Sequence, residues 1–175
     1  MIYQGFLTAF LVPSMLICAS NLFDENQPIA VTQRCMERLE IKNSYTPVDL
    51  FTSSAACIEE QKYTQAVELY LVATAYGYFD SARVIDKSTR QTLETLKTET
   101  FGPIDASKRN QFAETLRSRL DDMKSSCVFL VKLGSPSYYP HYMVEKGVTR
   151  GDGLMLNYDA KELWEDTRVN YLRCP

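Results

Sequence analysis

Whatever chemistry this chain performs must be assembled from few parts: one histidine, five cysteines, and carboxylates that fall in adjacent pairs. His141 lies in the run SYYPHYMVEKG. A serine or cysteine nucleophile needs an imidazole base steadied by a third group. No GxSxG elbow accompanies His141, so it reads as a surface or half-buried histidine. The pairs Glu59–Glu60 and Asp121–Asp122, and Glu162 with Glu165–Asp166, are the residue types a glycosidase sets across a cleft. Each is followed closely by a base, at Lys62, Lys124 and Arg168. That is the pattern of a solvated helix face. The run GVTRGDG, Gly147 to Gly153, does not continue into the Lys and Ser or Thr of a phosphate loop. Asp152 alone cannot supply the six or so oxygens that calcium takes. This run reads as a turn. The sequence therefore predicts no catalytic residue, no cofactor and no metal site, and a protein that is not an enzyme.

What the chain does have is tyrosine, eleven of them. Tyrosine joins a large apolar ring to a hydrogen-bonding tip, which suits it to recognition. Two groups are candidates for partner binding. One is the aromatic loop with Tyr138, Tyr139, His141 and Tyr142. The other is a helical-hairpin groove carrying Tyr76, Tyr78 and Phe79 beside Tyr70. For the loop an alternative stands equally: its rings could instead cap the helical core.

The cysteines point to a compartment. The first twenty residues, MIYQGFLTAFLVPSMLICAS, contain no Asp, Glu, Lys or Arg. The apolar run from Phe6 to Cys18 is shorter than the ~20 residues that span a bilayer, and it suits the core of a signal peptide followed by small residues at Ala19 and Ser20. Residues 1–20 are expected to be a signal peptide, with 21–175 a single domain in the periplasm or outside the cell. The run Met15-Leu16-Ile17-Cys18 resembles the lipobox of bacterial lipoproteins, and a lipid anchor on Cys18 is the alternative. Export leaves Cys35, Cys57, Cys127 and Cys174, an even number meeting an oxidising environment. Four cysteines allow three pairings. The preferred one joins Cys35 to Cys57, on neighbouring helix candidates, and Cys127 to Cys174, which pins the C-terminal tail. Four buried thiols remain the alternative.

These residues have to be positioned by a chain of ordinary globular composition. It is 45% hydrophobic and 23% charged, with a net charge of -3. That balance lacks the basic footprint of a nucleic-acid partner. Hydrophobic spacing and punctuation predict helices throughout. They run over Val31–Ile41 (with Val31, Cys35, Met36 and Leu39 inward), Pro47–Gln61, Tyr63–Tyr76 (stopped by Gly77), Ser81–Thr98, a long helix capped by Asp105 and running to Gly134, and Asp159–Leu172 with Trp164 in the core. A loop-rich stretch, 135–158, holds one short helix after Pro140.

The stretch LFTSSAACIEEQKYTQAVELYLVATAYGYFDSARV resembles one repeat of the tetratricopeptide and Sel1-like families, through Tyr63, Ala66, Tyr70 and Ala73 and the continuation Ala75, Gly77, Ala82. It has Leu50 where those repeats usually place an aromatic, and no second copy follows. The segments SARVIDKSTRQTLETL, SPSYYPHYMVEKG and NYLRCP are similar to a group of small exported gamma-proteobacterial proteins. These resemblances imply an all-α, irregular domain of about five to six helices around one hairpin, stabilised by disulfides. They also imply a function by analogy: binding another protein, such as a secreted effector toxin that the chain neutralises as an immunity protein. Two other readings are a periplasmic hydrolase using paired carboxylates and a lipid-anchored envelope assembly factor.

Overall fold

Thr46 begins the first long helix by satisfying its own terminus. Its hydroxyl accepts from the Asp49 N–H, and the Asp49 carboxylate accepts from the Thr46 N–H. Pro47 then occupies the first turn, where its missing donor costs nothing. In the computed structural model, which describes residues 33–147 and 153–174, this helix is α1 (Pro47–Glu59). Gln61 takes a positive φ of 59° and reverses the chain into α2 (Tyr63–Arg83). The two form an antiparallel hairpin. Small residues let the backbones approach: Ser54, fully buried, donates across the pair to the Ala66 carbonyl at 2.8 Å.

The remaining elements are α3 (Gln91–Phe101), α4 (Ala106–Asp121), α5 (Lys124–Leu133), α6 (His141–Val144) and α7 (Ala160–Asp166). Short 3-10 turns stand at Arg38–Glu40 and Lys87–Arg90, and a π turn follows α7 at Thr167–Tyr171. The described residues contain no strand beyond a single antiparallel bridge, Val84 to Leu154. The fold is all-α, and every described residue lies in one compact unit, Val31–Pro175. Among the described residues no helix is long and apolar enough to cross a membrane.

Everything packs on α2. At 21 residues it is about 31 Å long, and it is buried on all sides from Ala66 to Arg83, as a central helix must be. One end is surrounded by Phe51, Tyr70, Phe101 and Phe112, with ring centroids 5.4–5.9 Å apart. Toward the other end Trp164 packs on Tyr76 and Phe79. Two disulfides fasten the termini to this core, Cys35–Cys57 to α1 and Cys127–Cys174 to α5.

Several elements differ from their sequence expectation. Of the helix over 31–41, the described part holds only the turn Arg38–Glu40, while residues 31 and 32 lie outside the described residues. Cys35 is tied to Cys57, and Met36 gives its N–H to the Ser53 hydroxyl and its carbonyl to Gln65, so the main chain is spent on α1 and α2 rather than on a helix of its own. Leu39, expected inside, is 93% exposed. Gly77 does not stop α2. A side chain there would collide with Leu93, so glycine is needed for close approach of α3. The helix over 81–98 breaks at Val84, which goes extended to bridge Leu154. The helix over 105–134 breaks at Asp122, and α5 restarts with the Lys124 N–H donated to the Asp122 carboxylate. Two adjacent acids at a helix C-terminus oppose its dipole and favour that break. The last helix turns into a π turn after Asp166. The proposed signal peptide, 1–20, lies outside the described residues.

Two stability predictions follow from this packing. Gly77→Ala should cost about 1–3 kcal/mol by overpacking, measured by urea unfolding, and much of that cost should vanish in a Leu93→Ala background. Loop-closure entropy for separations of 22 and 47 residues assigns about 3 kcal/mol to Cys35–Cys57 and about 4 to Cys127–Cys174. Paired Cys→Ser variants should show that order in the same measurement.

Candidate functional site

The C-terminal turns of α2 carry an ion pair that the apolar stripe around it does not suggest. Asp80 is fully buried and Arg83 is 4% exposed. Arg83 Nε and Nη2 donate to Asp80 Oδ1 at 2.9 and 2.7 Å. The other carboxylate oxygen, Oδ2, accepts from the hydroxyls of Tyr138 and Tyr142, both at 2.8 Å. Arg83 also donates to the Tyr138 carbonyl at 2.8 Å, and its guanidinium lies over the rings of Phe79 and Tyr138. Burial holds the Asp80 carboxyl above the ordinary carboxylate range, against the pull of Arg83, Tyr142 and Tyr138. Burial and then the Asp80 charge push the phenols of Tyr138 and Tyr142 well above the usual tyrosine value.

This cluster fixes the aromatic loop. Its near end is held as well, by Tyr76 donating to the Gly134 carbonyl at 3.1 Å and by Ser137 donating from its N–H to the Asn43 carbonyl at 2.9 Å. The rings expected to bind a partner therefore separate into two sets. Tyr76 and Phe79 are 0% and 1% exposed and fill the core, so they are not available to a partner; the expectation of a hairpin groove at these positions is corrected. Their helix is enclosed by α7 and the loop instead of presenting a concave face. Tyr78 is half-buried and stacks on Tyr171 at 4.0 Å. Tyr138 and Tyr142 are half-buried, with their hydroxyls turned inward to Asp80. Tyr139 and His141 face solvent together, with ring centroids 4.7 Å apart, and His141 Nδ1 lies 3.7 Å from the exposed Glu145 carboxylate.

Beside the Tyr139 hydroxyl, at Gly153, runs a bridge region that carries further apolar residues. Val84 opposes Leu154, Ile85 donates to the Gly153 carbonyl, and Met155 donates to the Arg83 carbonyl. A side chain at Gly153, whose φ is +71°, would meet Val144 and the Tyr139 hydroxyl. Val84 points in at 1% exposure, while Ile85, Met155 and Leu156 are 49%, 43% and 87% exposed and Tyr139 is 38% exposed. Ile85, Met155 and Leu156 were not singled out in the sequence. The signal present there was only a hydrophobic triplet, Leu154-Met155-Leu156, in an otherwise polar loop.

The carboxylate pairs point outward. Glu59 is held by Lys108 and Glu60 by Lys62, while Asp121, Asp122, Glu162 and Glu165 are exposed. Among the described residues no three His, Cys, Asp or Glu side chains come together in a way that could hold a metal. Of GVTRGDG only the end glycines are described, and residues 148–152 lie outside.

Asp80→Asn should destabilise the fold by about 3–5 kcal/mol, because it leaves Arg83 buried without its counter-ion. The phenols give a pH test. Their folded-state values lie above the ordinary 10.0, so the folded chain keeps protons that the unfolded chain loses. The stability they contribute is complete below pH about 10 and falls as pH rises through their raised values. An absorbance titration at alkaline pH should show Tyr138 and Tyr142 ionising only together with loss of helical circular dichroism, and Tyr142→Phe should remove one late-titrating phenol.

No family of known proteins, no curated protein and no solved structure matches this chain.

Proposed function

We propose that this chain is an exported, non-enzymatic helical module that binds another protein, and that the contact is made by Tyr139 and His141 with Ile85, Met155 and Leu156. The observation that carries the reading is a contrast in one short loop. Tyr138 and Tyr142 are locked to Asp80, and between them Tyr139 and His141 are held outward. A ring presented from a rigid backbone loses little entropy on binding. Ile85, Met155 and Leu156 are exposed in the bridge region whose Gly153 lies beside the Tyr139 hydroxyl, and His141, Glu145 and Lys146 are exposed polar residues near Tyr139 in sequence. That composition is the anatomy of a recognition surface. The two disulfides support an oxidising compartment, periplasmic or extracellular. The partner class that accords with the sequence resemblance is a secreted effector toxin that the module neutralises.

Export is checked by intact mass of the protein taken unreduced from the envelope of its own host. The expected species begins at Asn21 and is short by four hydrogens; a full-length chain with free thiols removes the compartment from the proposal. The surface is checked by placing a photo-crosslinking amino acid at Tyr139 or Leu156, with exposed Glu114 on α4 as the control. Discrete protein adducts from the first two positions and none from the third are expected; adducts at position 139 should be lost on adding Leu156→Asp, and adducts at position 156 on adding Tyr139→Ala, each at unchanged Tm. Equal yield from all three positions overturns the assignment.

A further inference from the structure

Across the molecule's surface from α3 to α6 runs a groove of about 360 Å3, and we infer that it is a binding site for a neutral mono- or disaccharide, a site that adjoins the protein contact proposed above at Glu145 and Lys146. One wall is a single face of the helical turns at 87–101, carrying Ser88, Gln91, Thr92, Thr95 and Glu99. The threonines on this wall are turned out. Thr52, Thr98, Thr115 and Thr167 each donate to the carbonyl four residues earlier in their helices. Among the described residues, no such bond holds the hydroxyls of Thr92 and Thr95.

Val48, Leu96 and Tyr142 supply the apolar part of the lining. Because the Tyr142 hydroxyl is given to Asp80, what Tyr142 has left to line the groove is its ring and main chain. Glu145 and Lys146 form the opposite rim. A sugar has the complementary surface, with an apolar C–H face to lie on an aromatic ring and a circumference of hydroxyls that both donate and accept. Serine and threonine hydroxyls and the Gln91 amide can do both in return, the two carboxylates accept, and Lys146 donates.

Other ligand classes fit less well. An anion such as phosphate meets two carboxylates against one ammonium group. A wholly apolar ligand strips water from this wall without replacing its hydrogen bonds, which costs affinity. A basic peptide is favoured by Glu99 and Glu145 but opposed by Lys146. The volume is at the small end of ligand pockets, which start near 300 Å3, and this suits one or two sugar rings.

The test uses the oxidised, 15N-labelled protein titrated separately with N,N′-diacetylchitobiose, with maltose and with trilysine while amide shifts are followed. Saturable shifts with at least one disaccharide are expected, in the millimolar range and centred on Thr92, Thr95, Tyr142 and Lys146. Thr95→Val and Glu99→Gln change exposed positions and should leave the spectrum otherwise intact while weakening the disaccharide about fivefold or more. Absence of saturation with both sugars, unaltered affinity in both variants, or tighter binding of trilysine than of either sugar overturns the inference. None of these outcomes bears on crosslinking at Tyr139 or Leu156, so the two assignments fail separately.

Discussion

A carboxylate with no access to water has to find its counter-charge and hydrogen bonds inside the protein, and Asp80 sets that condition for half of this molecule. Its four acceptor contacts come from one residue on its own helix and two tyrosines some sixty positions later in the chain. An apolar residue at position 80 could pack against many arrangements of the following loop. A carboxylate is satisfied by very few, because each unpaired oxygen costs as much as a lost buried hydrogen bond. The ion pair thus selects where SPSYYPHY lies, and with it which rings turn in and which turn out. Net stabilisation is not required for this role. A buried ion pair contributes little compared with a well-packed apolar replacement, and its value here is in excluding the wrong loop positions.

The same device operates at the other end of α2. Glu68 is buried and receives Arg119 at 3.5 Å, Arg38 at 3.9 Å and the Ser126 hydroxyl at 3.2 Å. These partners come from the N-terminal turn, α4 and α5. Arg38 extends the link by donating to Ser125 and lying over the Phe129 ring. One central helix therefore carries a buried acid near each end, and each acid collects elements that are far apart in sequence. The apolar residues between them supply the driving force for collapse. The two acids specify which of the collapsed arrangements is kept.

This division of labour explains what could be read from the sequence. The hairpin, the cap at Asp105 and the core position of Trp164 were legible, because each depends on local pattern, and the cysteine pairing preferred among three possibilities is the one observed. Asp80 and Glu68 were not singled out, since a charged residue in a helix normally reads as solvent-facing; an Asp and an Arg three apart within a helix that is apolar on every side was the available clue. The helix over 31–41 failed for a related reason: its apolar spacing was real, but Met36 and Cys35 spend their bonds on α1 and α2. Tyrosine content marked the loop as aromatic and could not tell inward rings from outward ones. That choice is made by a carboxylate fifty-eight residues before Tyr138.

The disulfides act where the buried acids reach least. Glu68 reaches the segment at Cys35 through Arg38 alone, and no hydrogen bond or ion pair joins either acid to the tail at Cys174, a chain end prone to fraying. Cys35–Cys57 holds the first segment on α1, and Cys127–Cys174 returns the tail to α5 after the π turn. The tail in turn places Tyr171 on Tyr78, and α7 places Trp164 over Tyr76 and Phe79, closing the face of α2 that an open hairpin would have exposed. A lone helical hairpin has one concave side. Here that side is occupied by the chain's own C-terminal segment, and Tyr139, on the loop that Asp80 holds, keeps part of its ring exposed.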